Sequence, residues 1–196
     1  FVRDFMHYND RILCAAGKIV RAIQTEAMQL GFTPDEEGGG GYSSLHVRRT
    51  DLQYPDVLLN EDKWYVYVID CNCNQCSIGD KQVHIVAIDL VHRWLNTRDL
   101  WKPRELLYVA TDESDKRFFD NFVNNYHDVR FLDDYWDLAG LSSFRKEHLG
   151  MIDVMVASRG RVFVGTYYST FSGYISRIRG YYGMSKYSTY YGWNPV

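Results

Sequence analysis

The segment HVRRTD at residues 46–51 combines an imidazole, two guanidinium groups and a carboxylate within one short stretch. In an extended chain His46 and Arg48 point to the same face, whereas Val47 points to the other. We expect Val47 to face the core, so that His46 and Arg48 face a crevice. Arg48 has two interpretations: it pairs with a carboxylate such as Asp51, or it binds two oxygens of a diphosphate.

Hydroxyl groups mark a second polar segment, YSTFSGYISRIR at residues 168–179, which we expect to begin a helix after an apolar run that ends at Gly165. Ser169, Thr170 and Ser172 lie near that start. Hydroxyl side chains commonly cap helices. Together with exposed backbone N–H groups after a strand, they also form a site for phosphate oxygens.

Two further positions carry carboxylates in places that need an explanation. Asp153 interrupts an otherwise apolar helix, so it should meet an arginine such as Arg48 or Arg177, a helix start, or donors on a ligand base. Asp112 and Glu113 follow another predicted strand. They either contact a ribose or cap the next helix.

The composition excludes several classes of function. The chain has 196 residues and a formal net charge of −3, with no basic stretch, so broad nucleic-acid binding is not expected. No run approaches the roughly 20 apolar residues that cross a bilayer. The predicted anion site must therefore consist of a few residues rather than an extended basic surface.

Cys71, Cys73 and Cys76 form the cluster CNCNQC. One interpretation is a metal site with a fourth ligand such as His84, although zinc sites usually contain two spaced pairs of ligands. The spacing favours a loop disulfide in an oxidising compartment, and free thiols are a third interpretation.

Hydrophobic periodicity predicts helices and strands that alternate along the chain. Helices are predicted at 4–30, at 83–95, after Ser114, from Ser142 or Ser143 to 157, and after the last strand to about Gly180; strands are predicted at 42–45, 64–69, 106–110, 129–132 and 161–165. This alternation indicates an α/β fold with a Rossmann-like, mainly parallel sheet. The aromatic residues after position 180 should pack back on the domain or on a missing partner domain.

Three motifs in this order resemble the nucleotide-binding half of the GDP-fucose protein O-fucosyltransferases. They are HVRRTD at 46–51, YVATDE at 108–113, and IDVMVASRGRVFVGTYYSTFSGYISRIRGYYG at 152–183. The resemblance is greatest to the branch that modifies thrombospondin-type repeats and to its plant and protist relatives. It covers nearly the whole chain.

The resemblance implies that residues 1–196 form the C-terminal, GDP-fucose-binding lobe of a GT-B glycosyltransferase whose N-terminal lobe is absent from this chain. It implies inverting, metal-independent transfer of fucose to a Ser or Thr hydroxyl of a protein acceptor, with small disulfide-rich repeats as candidate acceptors. No cofactor is implied beyond the donor GDP-fucose. The expected location is the lumen of the endoplasmic reticulum or Golgi.

The resemblance also assigns roles to individual residues. Arg48 is the implied catalytic residue, which assists departure of GDP. The implied contacts with GDP-fucose are His46, Arg48, Asp51, Asp153, Ser169, Thr170 and Phe171. The alternative function is a non-catalytic module that binds a GDP-sugar or acts as a scaffold, because the lobe expected to hold the acceptor has no counterpart here.

Overall fold

The structure, a computed structural model, describes residues 8–34, 39–48, 104–120, 123, 128–165 and 169–190. Within these ranges the helices and strands are α1 Asp10–Gln29, β1 Tyr42–Val47, β2 Leu106–Thr111, β3 Val129–Arg130, α2 Trp136–Ala139, α3 Lys146–Ser158, β4 Phe163–Val164, α4 Thr170–Tyr181 and β5 Thr189–Tyr190. Short 3₁₀ helices occupy Lys116–Phe119, Leu132–Tyr135, Leu141–Ser143 and Lys186–Ser188.

The five strands form one sheet in the order β3-β2-β1-β4-β5, and every neighbouring pair is parallel. This order is typical of Rossmann-type domains, in which the chain builds outward on one side of the first strand and then returns to the other side. The reversal falls between β1 and β4. The predicted α/β fold with a Rossmann-like, parallel sheet is confirmed.

Strand β1 is buried on both faces, since all six of its residues are buried. On the helix side, Tyr42 donates its hydroxyl to the carbonyl of Val156 at 2.7 Å, and Ser44 donates to the carbonyl of Ala157 at 2.7 Å. Val47 on the opposite face is 1% exposed. Polar side chains on one face of β1 therefore fix the position of α3 relative to the sheet.

Helix α1 supplies much of the core that packs against α3. Asn9 caps it by accepting a hydrogen bond from the backbone N–H of Ile12 at 3.1 Å, which explains why the helix begins at Asp10 rather than at the predicted residue 4. The predicted apolar stripe is confirmed, with the buried residues Ile12, Ala16, Ile19, Ile23 and Ala27.

Several predicted boundaries are wrong by a few residues. Strand β1 continues through Val47, so His46 lies inside it rather than after it. Helix α3 begins at Lys146, because Ser142 and Ser143 belong to a preceding 3₁₀ turn. Asp115, not Ser114, caps the 3₁₀ helix after β2 by accepting from the N–H of Arg117.

Other predictions for short elements also need correction. Strand β3 ends at Arg130, before the predicted end at 132, and β4 is confined to Phe163–Val164. Val123 is 51% exposed and does not belong to the core face that its spacing predicts. Each of these apolar runs is locally strand-like or helix-like, and the tertiary contacts decide its ends.

Arg179 on α4 is a buried arginine, 1% exposed, that joins three elements at the edge of the sheet. Its guanidinium donates to the carbonyls of Ser158 and Gly160 at the end of α3, where the helix dipole is negative. It also donates to Thr189 Oγ1 at 2.7 Å and to Ser188 Oγ at 2.9 Å. These hydrogen bonds hold the chain on the domain as far as β5. The predicted packing of the tail's aromatic residues on the domain is wrong for Tyr181, Tyr182 and Tyr187, whose side chains are exposed.

Several predictions lie outside the described residues: the strand at 64–69, the helix at 83–95, the cysteine cluster and Asp51. The assignment of residues 1–196 to one domain stays a prediction. Within the described ranges, no helix has the length and apolar character needed to cross a bilayer. The same ranges contain no group of three or more His, Cys, Asp and Glu side chains arranged to hold a metal ion.

Candidate functional site

A cavity of about 610 Å³ opens beside the carboxyl ends of β1 and β2 and the start of α4. Its size falls within the range of about 300–1,000 Å³ that is usual for small-molecule sites. Six of its lining residues were singled out from the sequence: His46, Arg48, Asp112, Asp153, Thr170 and Phe171. The structure therefore brings together side chains from both polar segments and from the apolar helix.

His46 is held in a fixed orientation at the end of β1. Its Nδ1 lies 2.6 Å from Oγ of Ser172, and its ring stacks on Phe171 with centroids 4.6 Å apart. Burial lowers the pKa of His46 to about 3, against a smaller opposing effect of Asp112, while Arg48 lowers it further. The imidazole is therefore neutral at physiological pH.

A glycine after β4 allows Ser172 to reach His46. A Cβ on Gly165 would lie 2.7 Å from Cβ of Ser172, which is closer than two side chains can approach. The chain thus lets α4 approach β4 closely, and the buried Ser172 faces the imidazole. The glycine that ends the predicted apolar run consequently has a packing role at the site.

Asp153 is buried, and its hydrogen-bond partner among the described residues is Tyr108 on β2. The phenol donates to Oδ1 at 2.6 Å. Burial raises the pKa of Asp153 to about 7; the Tyr108 hydrogen bond and Lys116 act in the opposite direction, and Asp133 raises it slightly. The predicted pairing with Arg48 or Arg177 is wrong, because the neutral partner Tyr108 occupies that role.

Asp112 and Glu113 lie in different environments in the structure. Asp112 is exposed and lines the cavity. Glu113 is buried and accepts a hydrogen bond from the N–H of Asp115 at 2.7 Å, so it organises the turn after β2. The interpretation as a helix cap is wrong for Glu113, because Asp115 caps the next helix, and the ribose contact stays a prediction for Asp112.

The start of α4 contributes unequally to the cavity. Thr170 and Phe171 line it, whereas Ser169 at the N-cap position does not. The Ser169 side chain makes no capping hydrogen bond, and its buried Oγ has no hydrogen-bond partner in the part of the chain that the structure describes. Of the three hydroxyl residues expected to form a phosphate site, Thr170 lines the cavity, whereas Ser172 instead contacts His46 and Ser169 does neither. Phosphate binding at this helix start stays a prediction.

Five lining residues were not singled out from the sequence: Thr111, Leu132, Leu149, Gly150 and Tyr174. Two of them follow a spacing that could have revealed them. Gly150 lies three residues before Asp153 on α3, and Tyr174 lies three residues after Phe171 on α4, so each shares a helix face with a predicted residue. Nothing in the local sequence indicates that Tyr108 contacts Asp153, because Tyr108 lies inside a buried strand.

A parallel α/β sheet with a cavity at the carboxyl ends of its strands defines the class, a Rossmann-type domain. Residues 1–182 match the family model described as GDP-fucose protein O-fucosyltransferase. The chain belongs to that family. The sequence matches no curated protein.

The solved structures include one similar over almost the whole chain, "Crystal structure of POFUT1 in complex with GDP-fucose (crystal-form-I)". The TM-score is 0.51 at 12% sequence identity, and the match covers 97% of this chain. The chain spans 48% of the length of that structure. At this level of identity the match establishes the fold alone.

Proposed function

We propose that this chain is the GDP-fucose-binding part of an enzyme that transfers fucose to a Ser or Thr hydroxyl of a protein. The observation that carries the proposal is the cavity in which Arg48, His46 and Asp153 converge, in a chain of the O-fucosyltransferase family. The assignment to one lobe of a GT-B enzyme agrees with a match to about half of POFUT1, at 48% of its length.

Three polar residues of the cavity, Arg48, Thr170 and Asp153, have the main parts in this proposal. Arg48 binds two oxygens of the diphosphate and neutralises the charge that develops on the leaving GDP. Thr170 and the N-terminus of α4 favour phosphate by their dipoles. Asp153 accepts hydrogen bonds from the base, because guanine presents N–H donors to an ionised carboxylate.

The remaining predicted residues have narrower roles. Neutral His46 contacts the nucleotide through the cavity, with Phe171 stacked on its ring. Ser169 stays a predicted contact with GDP-fucose on the strength of the motif, although its side chain does not line the cavity. Asp51 stays a predicted contact on the strength of the motif.

The stereochemistry and surroundings of the reaction are further parts of the proposal. Transfer proceeds with inversion at the anomeric carbon. It needs no bound metal or other cofactor, because Arg48 and the start of α4 provide the positive charge that stabilises the diphosphate. The acceptor is a protein, and small disulfide-rich repeats are the candidates. The location is the lumen of the endoplasmic reticulum or Golgi. Both statements rest on the family resemblance.

The proposal is tested by calorimetry on the chain with GDP, GDP-fucose and UDP, followed by a transfer assay on the longest natural protein that contains it. We expect binding of GDP and GDP-fucose, weak binding of UDP, and release of GDP with an acceptor. Transfer should persist in EDTA, and NMR should show opposite anomeric configurations in donor and product. Equal affinity for UDP and GDP contradicts the nucleotide assignment.

The second candidate is a non-catalytic module that binds a GDP-sugar or acts as a scaffold. It is favoured by one observation, the coverage of 48% of the length of POFUT1. Binding of GDP-fucose without turnover in the longest natural protein, across a panel of acceptor repeats, would support the module.

A further inference from the structure

Gly150 lines the cavity from helix α3, three residues before Asp153. Residues at this spacing lie on one face of a helix, one turn apart. Gly150 therefore leaves a patch of bare backbone beside the carboxylate. Neither the sequence pattern nor the family description gives this glycine a role.

The backbone does not require glycine at this position. Gly150 lies within the regular helix Lys146–Ser158, where any residue other than proline adopts the conformation. Glycine is among the least favourable residues inside a helix, because it loses the most conformational freedom on folding.

The packing does not require glycine either. A Cβ on Gly150 would meet one side chain among the described residues, Phe171, at 3.7 Å from Cε2, which is an ordinary van der Waals distance. Gly160 is different, since a Cβ there would clash with Oγ of Ser44. What a side chain at Gly150 would occupy is the cavity itself, between Phe171 and Asp153.

We propose that Gly150 is a specificity-determining position, at which the planar base of a nucleoside diphosphate lies against the backbone of α3 with its polar edge at Asp153. This inference rests on the proposed function. A flat ring can approach a helix closely only where no side chain projects, and one helical turn places the carboxylate at the edge of that ring. Even a methyl group at this position would separate the base from Asp153.

The test compares Gly150→Ala with the matched control Gly17→Ala. Gly17 also lies inside a helix, is exposed, and would place its Cβ in open space. Both substitutions should raise Tm by about 2–4 °C, because alanine favours helix. We expect GDP binding by Gly150→Ala to weaken about tenfold or more, whereas Gly17→Ala binds GDP like the wild type.

Inorganic pyrophosphate is the second probe, since it lacks the base. We expect Gly150→Ala to bind pyrophosphate with wild-type affinity while its affinity for GDP falls. Equal losses for both probes, an unchanged Kd for GDP, or a lowered Tm would each overturn the role of Gly150. Failure of the wild type to bind GDP would overturn the proposed function as well.

Discussion

Tyr108 donates its hydroxyl to Oδ1 of Asp153 at 2.6 Å and joins the second strand of the sheet to the helix that lines the cavity. Both residues are buried. Burial raises the pKa of Asp153 to about 7, and the hydrogen bond from Tyr108 opposes that rise. Tyr108 therefore sets both the position of the carboxylate and the pH at which it ionises.

Tyr108→Phe should move the pH dependence of GDP binding upward. The substitution removes a hydrogen bond to a charged group, worth about 1.5–3 kcal/mol, so the pKa of Asp153 should rise by about one to two units. Because the proposed function has the base bind the ionised carboxylate, the pH midpoint of GDP binding should rise by the same amount. Calorimetry between pH 5.5 and 9 measures this shift.

Tyr135→Phe is the control for that experiment. Tyr135 is also buried, but its hydroxyl contacts Glu26 at 3.3 Å, on α1. We expect no shift of the binding midpoint for this variant. A midpoint that moves equally in both variants would show that the tyrosines act through stability alone.

Asp153→Asn should change how stability depends on pH. The pKa of Asp153 is raised to about 7 in the folded state, so the unfolded chain releases this proton at lower pH than the folded chain does. The contribution of Asp153 to the free energy of unfolding thus falls as pH rises from about 4 to about 7, by on the order of 4 kcal/mol. Asparagine removes that dependence and keeps an acceptor for Tyr108.

Urea denaturation of the wild type and Asp153→Asn across this range provides the measurement. His46 acts in the opposite sense: its lowered pKa makes the folded state lose stability as pH falls through the ordinary range of histidine. His46 is present in both proteins, so the difference between their curves isolates Asp153. Parallel curves would contradict the raised pKa.

Ser172→Ala should weaken ligand binding by releasing His46. The serine is fully buried, and its Oγ contacts Nδ1 of the imidazole at 2.6 Å. Removing it deletes this buried hydrogen bond, which costs about 0.5–1.5 kcal/mol in stability and loosens the orientation of the ring. We expect a lower Tm together with a higher Kd for GDP.

Ser158→Ala separates those two effects. Ser158 is equally buried, but it donates to the carbonyl of Met155 within its own helix, away from the cavity. This variant should lose stability while it keeps wild-type GDP affinity. A loss of affinity in Ser158→Ala would indicate that GDP binding follows overall stability rather than the position of His46.

Arg48→Ala, in the longest natural protein, should lower kcat for fucose transfer by about 10²–10³ with a smaller change in KM. In the proposed function Arg48 stabilises charge that develops only as GDP leaves, so its removal should affect the transition state more than the bound donor. Arg48→Lys should restore little, because an ammonium group does not bind two phosphate oxygens in a planar fork. Full transfer by Arg48→Ala would contradict the catalytic assignment.

The α/β architecture was predictable because it depends on local periodicity. The apolar stripe of α1 and the buried run of β2 are visible in the sequence, and their alternation requires a parallel sheet. Element ends were less predictable. Asn9 moves the start of α1 by several residues through one hydrogen bond, and the ladder with β2 carries β1 through Val47.

By itself the sequence determined the chemical types at the site: Arg48 and His46 at one strand end, hydroxyl groups at a helix start, and a carboxylate at Asp153 in an apolar helix. These follow from residue identity and short spacing. Tertiary structure alone decided the hydrogen-bond partners: Tyr108 bonds to Asp153, and Ser172 bonds to His46. It also left Ser169 outside the cavity. The physical reason is that such contacts join residues far apart in the chain, and the packing of α3 and α4 on the sheet fixes their distances.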